Sequence, residues 1–176
     1  MQVCLNPSSS REPSLSWYDL PAEVKSLLIA AANTWEDTAQ SQRYMQQALT
    51  IAHSSLDVLV AAYRYFFYKH NDAAALQIAT QVIEQIRQSE GLPEDWEVLV
   101  PILRSRKEEP NVRLYLNAYA ASGLVLARMG AIEEAKQITT RVSEMDDKRE
   151  FGATTVLQIL TCPDHDDDKD EEDLSL

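Results

Sequence analysis

The sequence predicts an all-α protein, and three observations carry that prediction. Apolar residues recur at helical spacing from Pro21 to Leu160, and nothing in that stretch alternates with period two for long. Only four glycines occur in 176 residues, fewer than the turns of a sheet protein normally require. Ala, Leu, Gln and Glu are abundant, and Ala and unbranched side chains lose least freedom in a helix. A chain of this length builds one core, so a single domain over residues 17–162 is expected.

The elements follow in order. Residues 1–16, rich in Ser, Pro and Asn without a period, read as a flexible leader that Trp17, Tyr18 and Leu20 pin to the body. Pro21 opens a first helix along which Val24, Leu27, Leu28 and Ala31 repeat. A second helix is expected from Thr38 to Ala52 and a third from Leu56 to Lys69. The break His70-Asn71-Asp72 supplies a cap for a fourth, from Ala73 to Gln88, with the stripe Leu76, Ala79, Val82, Ile83 and Ile86. Gly91 and Pro93 end it. Residues 94–106 predict a further helix, which Pro101 is expected to kink or restart. After the charged turn RSRKEEP (104–110), helices are expected from Val112 to Met129, Ile132 to Met145 and Phe151 to Leu160.

Charge limits the choice of partner. The net charge is -12, and residues 164–173, DHDDDKDEED, set eight acids against one Lys. Residues 163–176 therefore read as a disordered acidic tail, and the body carries no basic stripe to attract nucleic acid or an anionic membrane surface. No run of apolar residues is long enough to span a bilayer, and the N-terminus lacks the pattern of a signal peptide, so a cytoplasmic location is expected. Cys4 and Cys162 form no C-x-x-C pair or disulfide framework and read as reduced thiols.

His53, His70 and His165 stand in no metal-ligand spacing, and no G-x-S-x-G, phosphate loop or G-x-G-x-x-G occurs. The neighbouring acids Glu108/Glu109 and Glu133/Glu134 point to different azimuths of a helix and read as solvated surface. No catalytic residue, cofactor or metal is therefore expected.

Helix pairs with one apolar face each must stack on neighbours, which directs attention to internal repetition. In YAASGLVLARMGAIEEA (119–135), Gly123 lies seven residues before Gly130 and Ala135 five after it. This segment resembles the tetratricopeptide pattern, in which small residues let two helices approach and a glycine turns the chain. A shift of 60 residues puts Tyr63, His70 and Ala75 on those positions. A further shift of 34, the period of that family, puts Ile29, Glu36 and Ser41 there. The resemblance implies units at 22–55, 56–89 and 116–149, an inserted helical segment at 90–115, and antiparallel pairs stacked as a short right-handed solenoid.

In such arrays the first helix of each pair lines a concave groove. The implied groove positions are Glu23, Ser26, Ala30, Asn33 and Thr34 in the first unit. They are Asp57, Val60, Arg64, Phe67 and Tyr68 in the second, and Asn117, Ala120, Leu124, Ala127 and Arg128 in the third. Of these, Arg64, Phe67, Tyr68, Asn117 and Arg128 carry the aromatic area and polar forks that grip a peptide. The bland alternative is that Tyr63, Phe66, Phe67 and His70 form a core stripe with Leu59. Separately, YRYFFYKH (63–70) followed by GLPEDWEVL (91–99) resembles small helical accessory proteins found with nitrogen-fixation functions in bacteria.

The expected function is a non-catalytic adaptor or assembly-accessory module that binds a protein or peptide. A self-associating structural subunit, hence a homo-oligomer, is the alternative, and a role in nitrogen fixation or metalloenzyme assembly a further one.

Overall fold

The computed structural model describes residues 19–162. The expected leader and acidic tail, together with Trp17, Tyr18, Cys4 and His165, lie outside the described residues.

Eight helices follow one another: α1 Ala22–Asn33, α2 Thr38–Ile51, α3 Leu56–Tyr68, α4 Asp72–Glu90, α5 Trp96–Ser105, α6 Pro110–Arg128, α7 Ile132–Ser143 and α8 Ala153–Thr161. They form an all-α bundle, and among the described residues there is no strand. Local chemistry accounts for most boundaries. Asp37 caps α2 through Gln40 N (3.0 Å), Asn71 caps α4 through Ala74 N (3.3 Å), and Asp95 accepts from Glu97 N and Val98 N at the start of α5. Pro110 occupies the first turn of α6, where its missing N–H costs nothing. α5 continues through Pro101 as one helix, so of the two expectations, a kink or a restart, the restart is not seen. Leu99 and Leu103 on its buried face hold the helix against the core on both sides of the proline.

The pairs α1/α2, α3/α4 and α6/α7 pack as hairpins, and α4 lies directly against α6. The intervening α5 is set aside from that row, with Trp96 against Tyr119 (centroids 6.0 Å) and under the Arg141 guanidinium (4.8 Å). One main core extends from Leu20 to Met145, and a smaller cluster of Ala120, Val142 and Ala153 seats α8. Burial divides the aromatic stripe of α3: Tyr63 and Phe66 are core, Phe67 is half-buried, and His70 is exposed.

The turns of the second and third hairpins repeat each other. His70 and Gly130 both have positive φ, 56° and 82°. His70 N donates to Phe67 O (3.2 Å) and Asn71 N to Phe66 O (3.0 Å), and Gly130 N and Ala131 N make the matching bonds to Ala127 O and Leu126 O. Ala75 and Ala135 are fully buried at the helix contact. An alanine Cβ at Gly123 would stand 3.0 Å from Ile138 Cγ2 and 3.1 Å from Thr139 Cγ2, so the glycine lets α6 and α7 approach without those side chains giving way.

The first hairpin departs from the expected register. Its loop, 34–37, has one residue more than 69–71 or 129–131, so α1 is offset by one position relative to α3 and α6. Leu28, 8% exposed, takes the inward place expected of Ile29, which is 49% exposed. Glu36 lacks the left-handed backbone expected at a turn glycine. The chain turns instead through Trp35 N to Ala32 O and Asp37 N to Thr34 O. Ser41 does hold its small, buried position, and its hydroxyl bonds with Ala31 O (2.9 Å) and Tyr65 Oη (2.8 Å).

A polar knot closes the body where α4, α5 and α6 meet. Glu90 accepts from Asn111 Nδ2 (2.6 Å) and pairs with Arg106, which also binds Glu109. The Asn111 amide, then Arg106, hold the Glu90 carboxyl below its ordinary value. Nearby, burial pushes the Tyr115 phenol up, and Arg87 opposes the shift.

Two predictions follow from these joints. A left-handed residue with a Cβ is strained by about 1 kcal/mol relative to Gly. His70→Gly is therefore expected to raise Tm by roughly 2–4 °C and Gly130→Ala to lower it by a similar amount. Calorimetry of the two variants checks the opposite signs. Because the Glu90 pKa is depressed in the folded state, its stabilisation is complete above the unfolded value of about 4.3 and is lost as pH falls through the folded one. The Tm of Glu90→Gln is expected to lie below wild type at pH 7 and to converge on it in acid.

Candidate functional site

The exposed side of α3 faces two cavities. One, of about 440 Å³, is bounded by α3, α6 and the chain entering α8, and Tyr63, Phe67, Asn117, Leu124, Phe151 and Val156 are among its walls. The other, of about 390 Å³, lies between α1 and α3 over Leu28, Ile29, Ala32, Trp35, Met45 and Ala61. Arg64 and Tyr68 line both and form the ridge between them. Helical spacing explains the ridge, since residues four apart share a face and Tyr68 lies one turn beyond Arg64.

Four of the five residues expected to contact a partner, Arg64, Phe67, Tyr68 and Asn117, line the larger cavity. Tyr68 is 66% exposed and stands edge-on to Phe67, with centroids 5.4 Å apart. Asn117 directs its amide N–H to Arg113 O (2.8 Å). Arg128 is engaged elsewhere: it pairs with Asp72 and lies 4.6 Å over the Phe67 ring. It thereby braces the back of Phe67 and joins α6 to the start of α4. In the first unit the expected Glu23, Ser26, Ala30, Asn33 and Thr34 are absent from the cavity wall, and Ile29 and Ala32 stand there. The one-residue offset of α1 is the cause.

The electrostatics of the site centre on Arg64. Its guanidinium lies 5.9 Å from the Tyr63 ring, and Nε donates to Tyr63 Oη at 3.4 Å. No carboxylate among the described residues pairs with it, whereas Arg106, Lys107, Arg113 and Arg128 each meet one. Neither cavity is lined by a carboxylate, histidine or cysteine. Among the described residues no group of three or more His, Cys, Asp or Glu side chains could hold a metal ion, and no helix is long and apolar enough to cross a membrane.

The chain is 33% identical over 144 residues to an uncharacterised 19.8 kDa protein in the nifW 5' region of Azotobacter chroococcum mcd 1, an alignment covering 80% of each protein. The chain belongs to that protein's family. No family model matches it, and no solved structure does. The kinship agrees with the nitrogen-fixation direction of the resemblance carried by YRYFFYKH and GLPEDWEVL, in that the relative is described as lying in the nifW 5' region.

Sequence reasoning missed the wall contributed by Phe151, Gly152 and Val156. These residues follow α7 by a turn whose geometry depends on Asp146, a buried carboxylate that accepts from Glu150 N (2.7 Å) and Phe151 N (2.9 Å). Arg149 and Gly152 in that turn have positive φ. Glu150 pairs with Arg113 (2.9 Å), whose guanidinium also covers the Phe151 ring at 5.7 Å. The acidic string EMDDKRE looks like any solvated turn in sequence, and only the fold selects Asp146 as the acceptor.

Removing that acceptor strands two backbone N–H groups, at about 1–3 kcal/mol for a buried donor. Asp146→Ala is expected to lose about 2 kcal/mol of stability and to hasten tryptic cleavage after Lys148 and Arg149. Thermal melts and timed proteolysis measure both.

Proposed function

We propose that this protein is a non-catalytic accessory factor of bacterial nitrogen fixation that holds a protein or peptide partner in the groove along α1, α3, α6 and α8. In this reading the helix pairs stack as a short tetratricopeptide-like solenoid with α5 as an insertion, and α8 closes the row.

The observation that carries the mode of action is the composition of the groove. An exposed aromatic ridge and one carboxylate-free guanidinium stand between apolar cavities, as in surfaces that bind peptides through aromatic and arginine anchors. General acid–base chemistry draws most often on carboxylates and histidines, and the titratable groups lining these cavities are only tyrosine hydroxyls and Arg64. The matching turns at His70 and Gly130 support the stacked-pair reading. The nif-region relative supports the biological direction.

A second reading is self-association. Ile29, Trp35 and Tyr68 are large and exposed on the same face, and a second copy would also cover them.

Affinity capture from the native host grown on dinitrogen, followed by mass spectrometry, tests the proposal beside an Arg64→Ala/Tyr68→Ala variant. Wild type is expected to retrieve a protein made with the nitrogen-fixation machinery, and the double variant at least several-fold less of it. Equal retrieval by both would place the contact outside the groove. Concentration-dependent sedimentation would favour self-association.

A further inference from the structure

The two cavities beside α3 contain a single charged side chain, and it belongs to both. Every other residue lining them is apolar, aromatic or, like Asn117, a neutral amide. In a chain with 28 acidic and 16 basic residues, carboxylates are in surplus, yet none among the described residues is directed at Arg64. Among the described residues only Nε has an acceptor, the Tyr63 hydroxyl at 3.4 Å, a long contact, and no carboxylate meets the terminal fork of this residue that lines both cavities. A guanidinium fork binds a carboxylate through two parallel N–H bonds, and this is the strongest complement for such a group at a partly dry surface.

We infer that the groove takes a protein segment in which one acidic residue lies between two apolar ones. The carboxylate meets Arg64, one apolar side chain enters the cavity over Ala32 and Ala61, and the other enters the cavity against Leu124 and Val156. This inference rests on reading the groove as a docking site and adds the chemistry of what docks. Charge complementarity selects an acidic peptide over a polyanion. A single cation on a body of net negative charge attracts one carboxylate, and phosphate backbones require a cluster of Lys and Arg. The cavities, each large enough for several heavy atoms of a side chain, select what flanks it.

The experiment is selection from a random dodecapeptide library displayed on phage, with the full-length protein and its Arg64→Glu and Ala32→Trp variants as baits. Wild type is expected to enrich Asp or Glu flanked on both sides by Leu, Ile or Phe. Arg64→Glu is expected to exchange the acid for Lys or Arg, and Ala32→Trp, which fills one cavity from an exposed position, to abolish the preference for one flanking residue. A fluorescent synthetic peptide of the enriched sequence is expected to lose about tenfold in affinity or more on Arg64→Ala, the loss of a charge-assisted bond, with Tm unchanged. Enriched sequences that lack an acid, or affinity that Arg64→Glu leaves intact, would overturn the inference. If Ala32→Trp weakens such an acid-free sequence, the docking reading survives while the acidic partner is lost. Failure to enrich any sequence overturns both. Sedimentation as a dimer that Arg64→Glu dissociates would identify a second copy as the occupant and also overturn the choice of a partner segment.

Discussion

A helix hairpin holds together when its two backbones come close enough for side chains to interlock, and in this protein small residues at the crossing permit that approach. Ala75, Ala135 and Ser41 are each buried to within 1% of complete enclosure, and Gly123 meets Ile138 where a methyl group would crowd it. The cavity walls depend on these contacts. α3 presents Arg64 and Tyr68 outward because Ala62, Tyr63 and Phe66 on its other faces are fixed against α4 and the core. α6 presents Asn117 and Leu124 because Ala118, Ser122 and Gly123 draw it inward. The two cavities thus lie on the outer face of helices whose inner faces are buried in the core.

Electrostatics then distinguish one position on that face. Most cations on the body are committed to acids or aromatic rings, as with Arg128 on Asp72 and Phe67 or Arg141 on Trp96. Such exposed pairs contribute little each, typically under about 1 kcal/mol, but they determine which charges remain available. Arg64 touches only the Tyr63 ring and hydroxyl and meets no carboxylate among the described residues, and its place on the ridge puts it where both cavities open. The knot of Glu90 with Arg106 and Asn111 serves a different end, anchoring the C-terminal end of α5 to α4 and α6.

Much of this was legible in the sequence, for identifiable reasons. Helical spacing and capping residues gave the helices to within about two residues, because those signals are local. His70 was matched to Gly130 by offset alone, and the two share a left-handed backbone. Where a signal was not local, the reading failed. Nothing near Glu36 announces that the first turn has an additional residue, and that single residue moved the inward position from Ile29 to Leu28. Arg128 has the composition of a groove residue, but a carboxylate and a ring from other helices engage it. The wall from Phe151 to Val156 escaped notice because its placement depends on a buried Asp146, whose role is a matter of tertiary geometry.

The attachment of the first hairpin has one further consequence. α2 and α3 meet less extensively than the helices within each hairpin, as α6 and α8 do. Beside the shared apolar core, the joint carries the Ser41–Tyr65 hydroxyl contact, the edge-on Trp35–Tyr65 ring pair, and Lys69, which reaches Trp35 O, Thr38 Oγ1 and the face of the Trp35 ring. Tyr65 also lines the space over Ile29 and Ala32, so the buried hydroxyl pair that ties the first hairpin to the second also sets one wall of that cavity.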